Sequence, residues 1–258
     1  IGTSLGASQI IDDSVINRSF SDIEGYQESI TSSALDRDGF LWFGTSSGAV
    51  RYDGENFKRY SKDNGLISKV IWSVLCDREG NIWLSSLDNG VSKFRGETFI
   101  NYSEKDGLAN NSVTCVYENS KGDFWIGSRL GVSKIDSDVL NRNKVNGHFR
   151  SNPSTELFHI YSHTRKDPTT IGNNTVAAIL EDSKGTMWFA TWGGGVSKFD
   201  GSRFVTYLES DGLTHNSVNA IFEDTKGIIW LGTMSGVTTI EGENIQRFEG
   251  ADKFIGEF

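Results

Sequence analysis

Five tryptophans hold one register along this chain. Each follows a glycine by three positions, as Gly39/Trp42, Gly80/Trp83, Gly122/Trp125, Gly185/Trp188 and Gly227/Trp230, and successive tryptophans lie 41, 42, 63 and 42 residues apart. The surroundings repeat as well: ITSSALDRDGFLWFGT, IWSVLCDREGNIWLSS, VTCVYENSKGDFWIGS, VAAILEDSKGTMWFAT and VNAIFEDTKGIIWLGT. Each is followed by Gly-Val-Ser-Lys-Phe or a variant of it, and then by an aromatic-rich stretch. A unit of about 40–45 residues cannot bury its apolar face alone, so such a chain must stack its copies against one another.

Within a copy the pattern predicts four short strands. In the last one they are A (218–223), B (228–233), C (237–240) and D (244–248). Asp224 opens the A–B turn and Gly227 closes it, an acceptor for turn N–H groups followed by a residue tolerant of positive φ. Asp53-Gly54, Asp200-Gly201 and Glu241-Gly242 mark C–D hairpins. Strand A is apolar on both faces, with Val218, Ala220 and Phe222 on one side and Ile221 on the other, as in a sheet covered on both sides. The residue seven before the motif glycine is always small (Ser32, Ser73, Cys115, Ala178, Ala220), which suits a crowded innermost strand. The chain has 29 glycines and 2 prolines, as turn-rich ladders require. The fold expected is an all-β propeller of four-stranded antiparallel blades over residues 1–258. Residues 1–20 align with 231–248, so the ends read as two parts of a split sixth copy, from a longer array. Six blades are favoured, with seven the alternative. The 63-residue step reflects an insert at 136–157, DSDVLNRNKVNGHFRSNPSTEL, which reads as a loop decorating one repeat.

Charge and composition exclude several classes. Lys and Arg number 25 against 34 Asp and Glu, a net charge of −9, which makes nucleic acid a poor partner. No run of about 18 apolar residues is present, so a membrane would be reached only through a part outside these residues. Cys76 and Cys115 fall three residues out of register in neighbouring copies and read as unbridged, buried small hydrophobes. Asp36-Arg37-Asp38-Gly39 lacks the further acids of a calcium loop, and Trp192-Gly193-Gly194-Gly195 leads into a strand rather than a phosphate-binding helix. No metal and no cofactor is expected.

The motif in AIFEDTKGIIWLGTMSGV resembles the two-component regulator propeller repeat. Ser85 and Ala190 replace its motif glycine, and Asn119 replaces its turn aspartate. The resemblance implies a sensor propeller of bacterial hybrid two-component systems, a periplasmic or extracellular location and, often, an oligosaccharide ligand. A non-catalytic ligand-binding role is therefore expected. A protein–protein scaffold, with a homodimer as one form, is the alternative, and a propeller glycosidase or polysaccharide lyase the second alternative.

In a propeller the D–A and B–C loops share one face. Trp192, in a Gly-rich B–C loop, is the residue type that stacks on a sugar while its N–H bonds a hydroxyl. Arg129, also in a B–C loop, suits a carboxylate or sulfate. Asn111, Asn174 and Asn216 recur eleven before the motif glycine, where a ring of amides would bind hydroxyls or, more simply, support the D–A turn. Asp88 with Arg129 and His215 is the one cluster resembling catalytic machinery. Catalytic residues are expected to be none.

Overall fold

Each Gly-x-x-Trp segment forms the second strand of a four-stranded antiparallel sheet. The structure, a computed structural model, describes residues 29–140 and 157–248, together with the backbone of 141–142 and of the strands at 2–3, 6–11, 14–19, 144–145 and 148–149. Strands β1 (Gly2–Thr3), β2 (Gly6–Ile11) and β3 (Ser14–Ser19) form a three-stranded sheet. The first blade is β4 (Ile30–Leu35), β5 (Leu41–Thr45), β6 (Gly48–Tyr52) and β7 (Phe57–Tyr60). The second is β8 (Ser73–Cys76), β9 (Ile82–Ser85), β10 (Val91–Arg95) and β11 (Thr98–Tyr102). The third begins with β12 (Val113–Glu118), β13 (Phe124–Ser128) and β14 (Gly131–Ile135).

The insert follows. It holds α1 (Ser137–Arg142) and the two-residue strands β15 (Lys144–Val145) and β16 (His148–Phe149), where the sequence suggested only a loop. Its first turn is held by Asp123, whose Oδ1 accepts the Ser137 N–H at 2.9 Å, and Leu140 is buried. β17 (His159–Tyr161) then completes the third blade. The fourth is β18 (Val176–Glu181), β19 (Met187–Thr191), β20 (Val196–Phe199) and β21 (Phe204–Tyr207). The fifth is β22 (Val218–Glu223), β23 (Ile229–Thr233), β24 (Gly236–Glu241) and β25 (Asn244–Arg247), within a residue or two of the predicted strands.

Among the described residues there are five four-stranded blades, where six were expected. The N-terminal repeat supplies three described strands, in the order predicted for B, C and D. The stretch that would supply its innermost strand, within 249–258, lies outside the described residues. Backbone contacts group the chain into two compact units, Ile1–Val116 with Gly147–Asn152 and Tyr117–Asn146 with Pro153–Phe258, the division falling inside β12.

The motif tryptophans are the keystones of the packing. In the first unit Trp42 stacks on Tyr60 of its own blade (5.1 Å) and meets Phe94 of the next (5.0 Å). In the second, Trp125 stacks on Tyr161 (5.6 Å) and meets Phe189 and Phe199 of the fourth blade edge-on. The cluster around Trp188, Val196, Val218, Leu231 and Ile240 joins the fourth and fifth blades. The expectation that strand A is covered on both faces fails for β22, where Phe222 is 63% exposed. Within its unit, no described sheet lies beyond the fifth blade to cover that face.

The turns form as their chemistry dictates. Asp36, Asp77, Asp182 and Asp224 each accept two turn N–H groups at Oδ1. The Oδ2 of each accepts the indole N–H of the motif tryptophan six residues on, at 2.8–2.9 Å. In the D–A loops, short 3-10 turns at Lys62–Asn64, Glu104–Asp106 and Glu209–Asp211 each end at a left-handed glycine, after which Leu66, Leu108 or Leu213 is buried.

Candidate functional site

The B–C loops of the second unit are short and apolar at their tips. Leu130, Trp192 and Met234, one from each blade of that unit, are 55%, 44% and 70% exposed. Trp192 is held at its backbone, donating its N–H to the Thr175 carbonyl at 2.9 Å. The glycines after it permit a close approach between loops. A Cβ on Gly194 would lie 2.5 Å from the Gly172 backbone, and Gly193 and Gly195 adopt φ of 81° and 69°. The Gly-rich loop is thus a tight contact that fixes Trp192, not a slack segment.

Around this end, Arg129 is exposed beside Leu130. His215 is half-buried, and its Nδ1 accepts the Ser217 N–H at 2.8 Å, which leaves the neutral ring's proton on Nε2. Asp88 belongs to the first unit, is exposed and accepts a 2.7 Å hydrogen bond from the Ser68 hydroxyl.

The three asparagines are engaged in the D–A loops. The side-chain oxygens of Asn111, Asn174 and Asn216 accept the N–H groups of Glu104, His163 and Glu209 at 2.8, 2.5 and 2.8 Å. Their backbone carbonyls accept from Gly90, Gly131 and Gly195, the glycines that open each C strand. Each asparagine therefore ties a D–A loop to the preceding blade.

Asn119, in place of the motif's turn aspartate, marks an irregularity at the opposite, A–B end of the second unit. In the second blade Asp77 holds the turn, with the Asn81 amide and the Lys93 ammonium on its carboxylate. In the third blade the two are exchanged: Asn119 holds the turn, and Asp123 pairs with Lys134 at 3.1 Å. Burial pushes the Asp123 carboxyl up, but the Ser137 N–H, Lys134 and Asn119 together hold it below the ordinary carboxylate value. Burial likewise depresses Lys134, and Asp136 and Asp123 outweigh it, leaving the ammonium above its ordinary value. The exchange leaves Trp125 without an acceptor: its Nε1 is buried and unpartnered. Asn119 already uses its oxygen on the turn, and its remaining atom is itself a donor.

Among the described residues no group of three or more His, Cys, Asp or Glu is placed to hold a metal ion. Nor is any helix long and apolar enough to cross a membrane. Neither Cys76 nor Cys115 is in a disulfide, and both are half-buried, less enclosed than expected.

The profile of the two-component regulator propeller repeat matches residues 27–47, 65–88, 107–129, 170–193 and 212–235, one match per blade, each running through strands A and B. The chain is a two-component regulator propeller protein. Among solved structures, it is similar to the extracellular domain of the putative hybrid two component system BT3049 from B. thetaiotaomicron. The TM-score is 0.66 at 25% identity, over 86% of this chain and 28% of that one. It also matches PorZ, an essential surface component of the type-IX secretion system of Porphyromonas gingivalis, with TM-score 0.70 at 18% identity, over 93% of this chain and 36% of that one. Virginiamycin B lyase from Staphylococcus aureus shares the fold, with TM-score 0.63 at 12% identity, over 85% and 69%. The chain thus spans about a third or less of the first two relatives. No curated protein matches it by sequence.

Proposed function

We propose that this propeller is the ligand-binding part of an extracytoplasmic receptor of two-component type, that it is non-catalytic, and that it takes an oligosaccharide at the B–C end of its blades. The observation that carries this is Trp192, a large exposed aromatic on a loop whose backbone is held by its close approach to Gly172, with Leu130 and Met234 exposed on the corresponding loops of the third and fifth blades. An exposed indole on a held backbone offers a stacking face at little ordering cost. Family membership and the likeness to an extracellular sensor domain support the location. B–C loops of two or four residues in this unit give a shallow surface, suited to binding more than to enclosing a reaction. Bound ligand would act by favouring one packing of the receptor's domains over another.

The test is calorimetric titration of a panel of neutral and acidic oligosaccharides. Heat from at least one, lost in Trp192→Ala, is expected, and no heat from any would end the oligosaccharide reading. The same three apolar tips favour a second reading, docking of a protein, including another copy of this chain. A concentration-dependent dimer in analytical ultracentrifugation, abolished by Met234→Ser with Leu130→Ser, would select it.

A further inference from the structure

A cavity of about 800 Å³ opens at the other end of the second unit, between the third and fourth blades, where the A–B turns and C–D hairpins lie. Four basic side chains line it, Lys121, Lys134, Lys198 and Arg203, in a chain whose net charge is −9. The acids that share it are already engaged. Asp123 is bound by Lys134 and the Ser137 N–H. Glu181 accepts from the Ser120 N–H and hydroxyl on separate oxygens. Asp200 accepts from the N–H groups of Ser202 and Arg203 and from the Arg203 side chain. No carboxylate of the described residues lies within ion-pair distance of Lys121 or Lys198; the Lys198 ammonium instead rests 5.3 Å from the Tyr207 ring centroid. Trp125, which also lines the cavity, is only 2% exposed and carries the one motif indole N–H without an acceptor. The cavity therefore offers two positive charges without a carboxylate partner, an unpaired donor lies just beneath its wall, and it has the volume of a small-molecule site.

We propose that this groove binds an anionic ligand of two or three rings, whose carboxylate or sulfate groups are held by Lys121 and Lys198 and one of whose acceptor oxygens takes the Trp125 N–H. An acceptor reaching that N–H satisfies a buried donor that the fold leaves unpaired, a gain not available to water-exposed competitors. Ammonium groups that lack carboxylate partners cost little to redirect onto an oxyanion. The site is separate from the B–C end and does not rest on the reading given above.

The full chain is titrated with a disulfated disaccharide, digalacturonate, neutral cellobiose and inorganic sulfate, each at low and at physiological salt. Binding of one or both organic anions is expected, weaker at the higher salt, and which of the two binds distinguishes sulfate from carboxylate recognition. Cellobiose binds nowhere in the groove. Lys121→Gln and Lys198→Gln each weaken the anion roughly five- to tenfold, and Trp192→Ala leaves it unchanged. The exchange variant Asn119→Asp with Asp123→Asn keeps the net charge but gives Trp125 an internal acceptor, and weakens binding about tenfold. Thermal melts confirm that each variant is folded. The proposal is overturned if neither organic anion binds, if the lysine variants bind as well as the parent, or if inorganic sulfate binds as tightly as the disaccharides. It also fails if Trp192→Ala alone removes binding, a result that would leave the B–C site standing.

Discussion

At the scale of single residues, the pairing of a turn acid with an indole six positions on is the detail that most repays attention. Four blades make it, and the third replaces the acceptor with an amide. An unpaired buried donor costs about 1–3 kcal/mol. Swapping the pair back, as Asn119→Asp with Asp123→Asn, should therefore stabilise the protein by about 1 kcal/mol and raise its melting temperature by roughly 2–4 °C. Calorimetry on parent and double variant measures this, and an unchanged or lower midpoint would show that the indole is satisfied in another way. The same residues set a pH dependence. Asp123 is held below its ordinary value, so its contribution is present above the unfolded carboxylate pKa and is lost as pH falls through the lowered one. Lys134 is held above its ordinary value, so its contribution is present below 10.5 and is lost as pH rises through the raised one. Lys134→Met should thus flatten both the acid and the strongly alkaline limbs of the stability profile, read by urea unfolding at a series of pH values.

At the scale of elements, the glycine that opens strand C is required for different reasons in different blades. On Gly90, Gly131 or Gly195 a Cβ would sit well inside contact with the carbonyl of Tyr102, Tyr161 or Tyr207 on strand D. At Gly236 it would meet nothing within 4 Å, although φ is 124°. Gly131→Ala should therefore cost several kcal/mol, from the clash as well as the φ penalty, whereas Gly236→Ala should cost roughly 1–2 kcal/mol. Denaturant midpoints of the two variants compare them directly, and equal losses would mean that φ strain alone governs both. These strands were legible beforehand because strand periodicity and turn chemistry are local properties. Val218–Glu223 was placed to the residue from alternating apolar positions, and the Asp53 and Asp200 hairpins from their Asp-Gly pairs. The helix at Ser137–Arg142 was hidden, because its anchor is Asp123, fourteen residues back, and polar composition alone reads as loop.

At the scale of the whole chain, repetition made the architecture readable, since five copies in register average out the noise of any single one. The candidate binding residues had no such support. Trp192 stood out as an aromatic in a glycine run, but Leu130 and Met234 gained meaning only when the blades set their loop tips at one end. The asparagines recur because each closes a D–A loop, so their regularity reported scaffold chemistry. Lys121 and Lys198 were invisible as a pair: 77 positions separate them, and what matters is which of the surrounding acids are already occupied. Because an array of this kind is stabilised mainly through nearest-neighbour contacts, Trp188→Ala should loosen the fourth and fifth blades together. Hydrogen exchange should then show lost protection in β18–β25, with β4–β11 of the other unit unchanged. Uniform loss across both units would mean that they unfold as one.

The seams between blades carry one more implication. The Ser120 N–H and hydroxyl are gripped by Glu181 of the following blade, and Ser183 by Glu223 of the blade after that. In these two seams a hook at the end of one blade's first strand closes on an eye in its predecessor's first turn, whereas Leu35 and Cys76 hold the hook's place in the first two blades. A genetic event that copies the fourth repeat whole would set the Glu181 hook of the new copy beside the Ser183 eye of the old one. That part of the array can gain a repeat by unequal recombination without a new joint having to be invented.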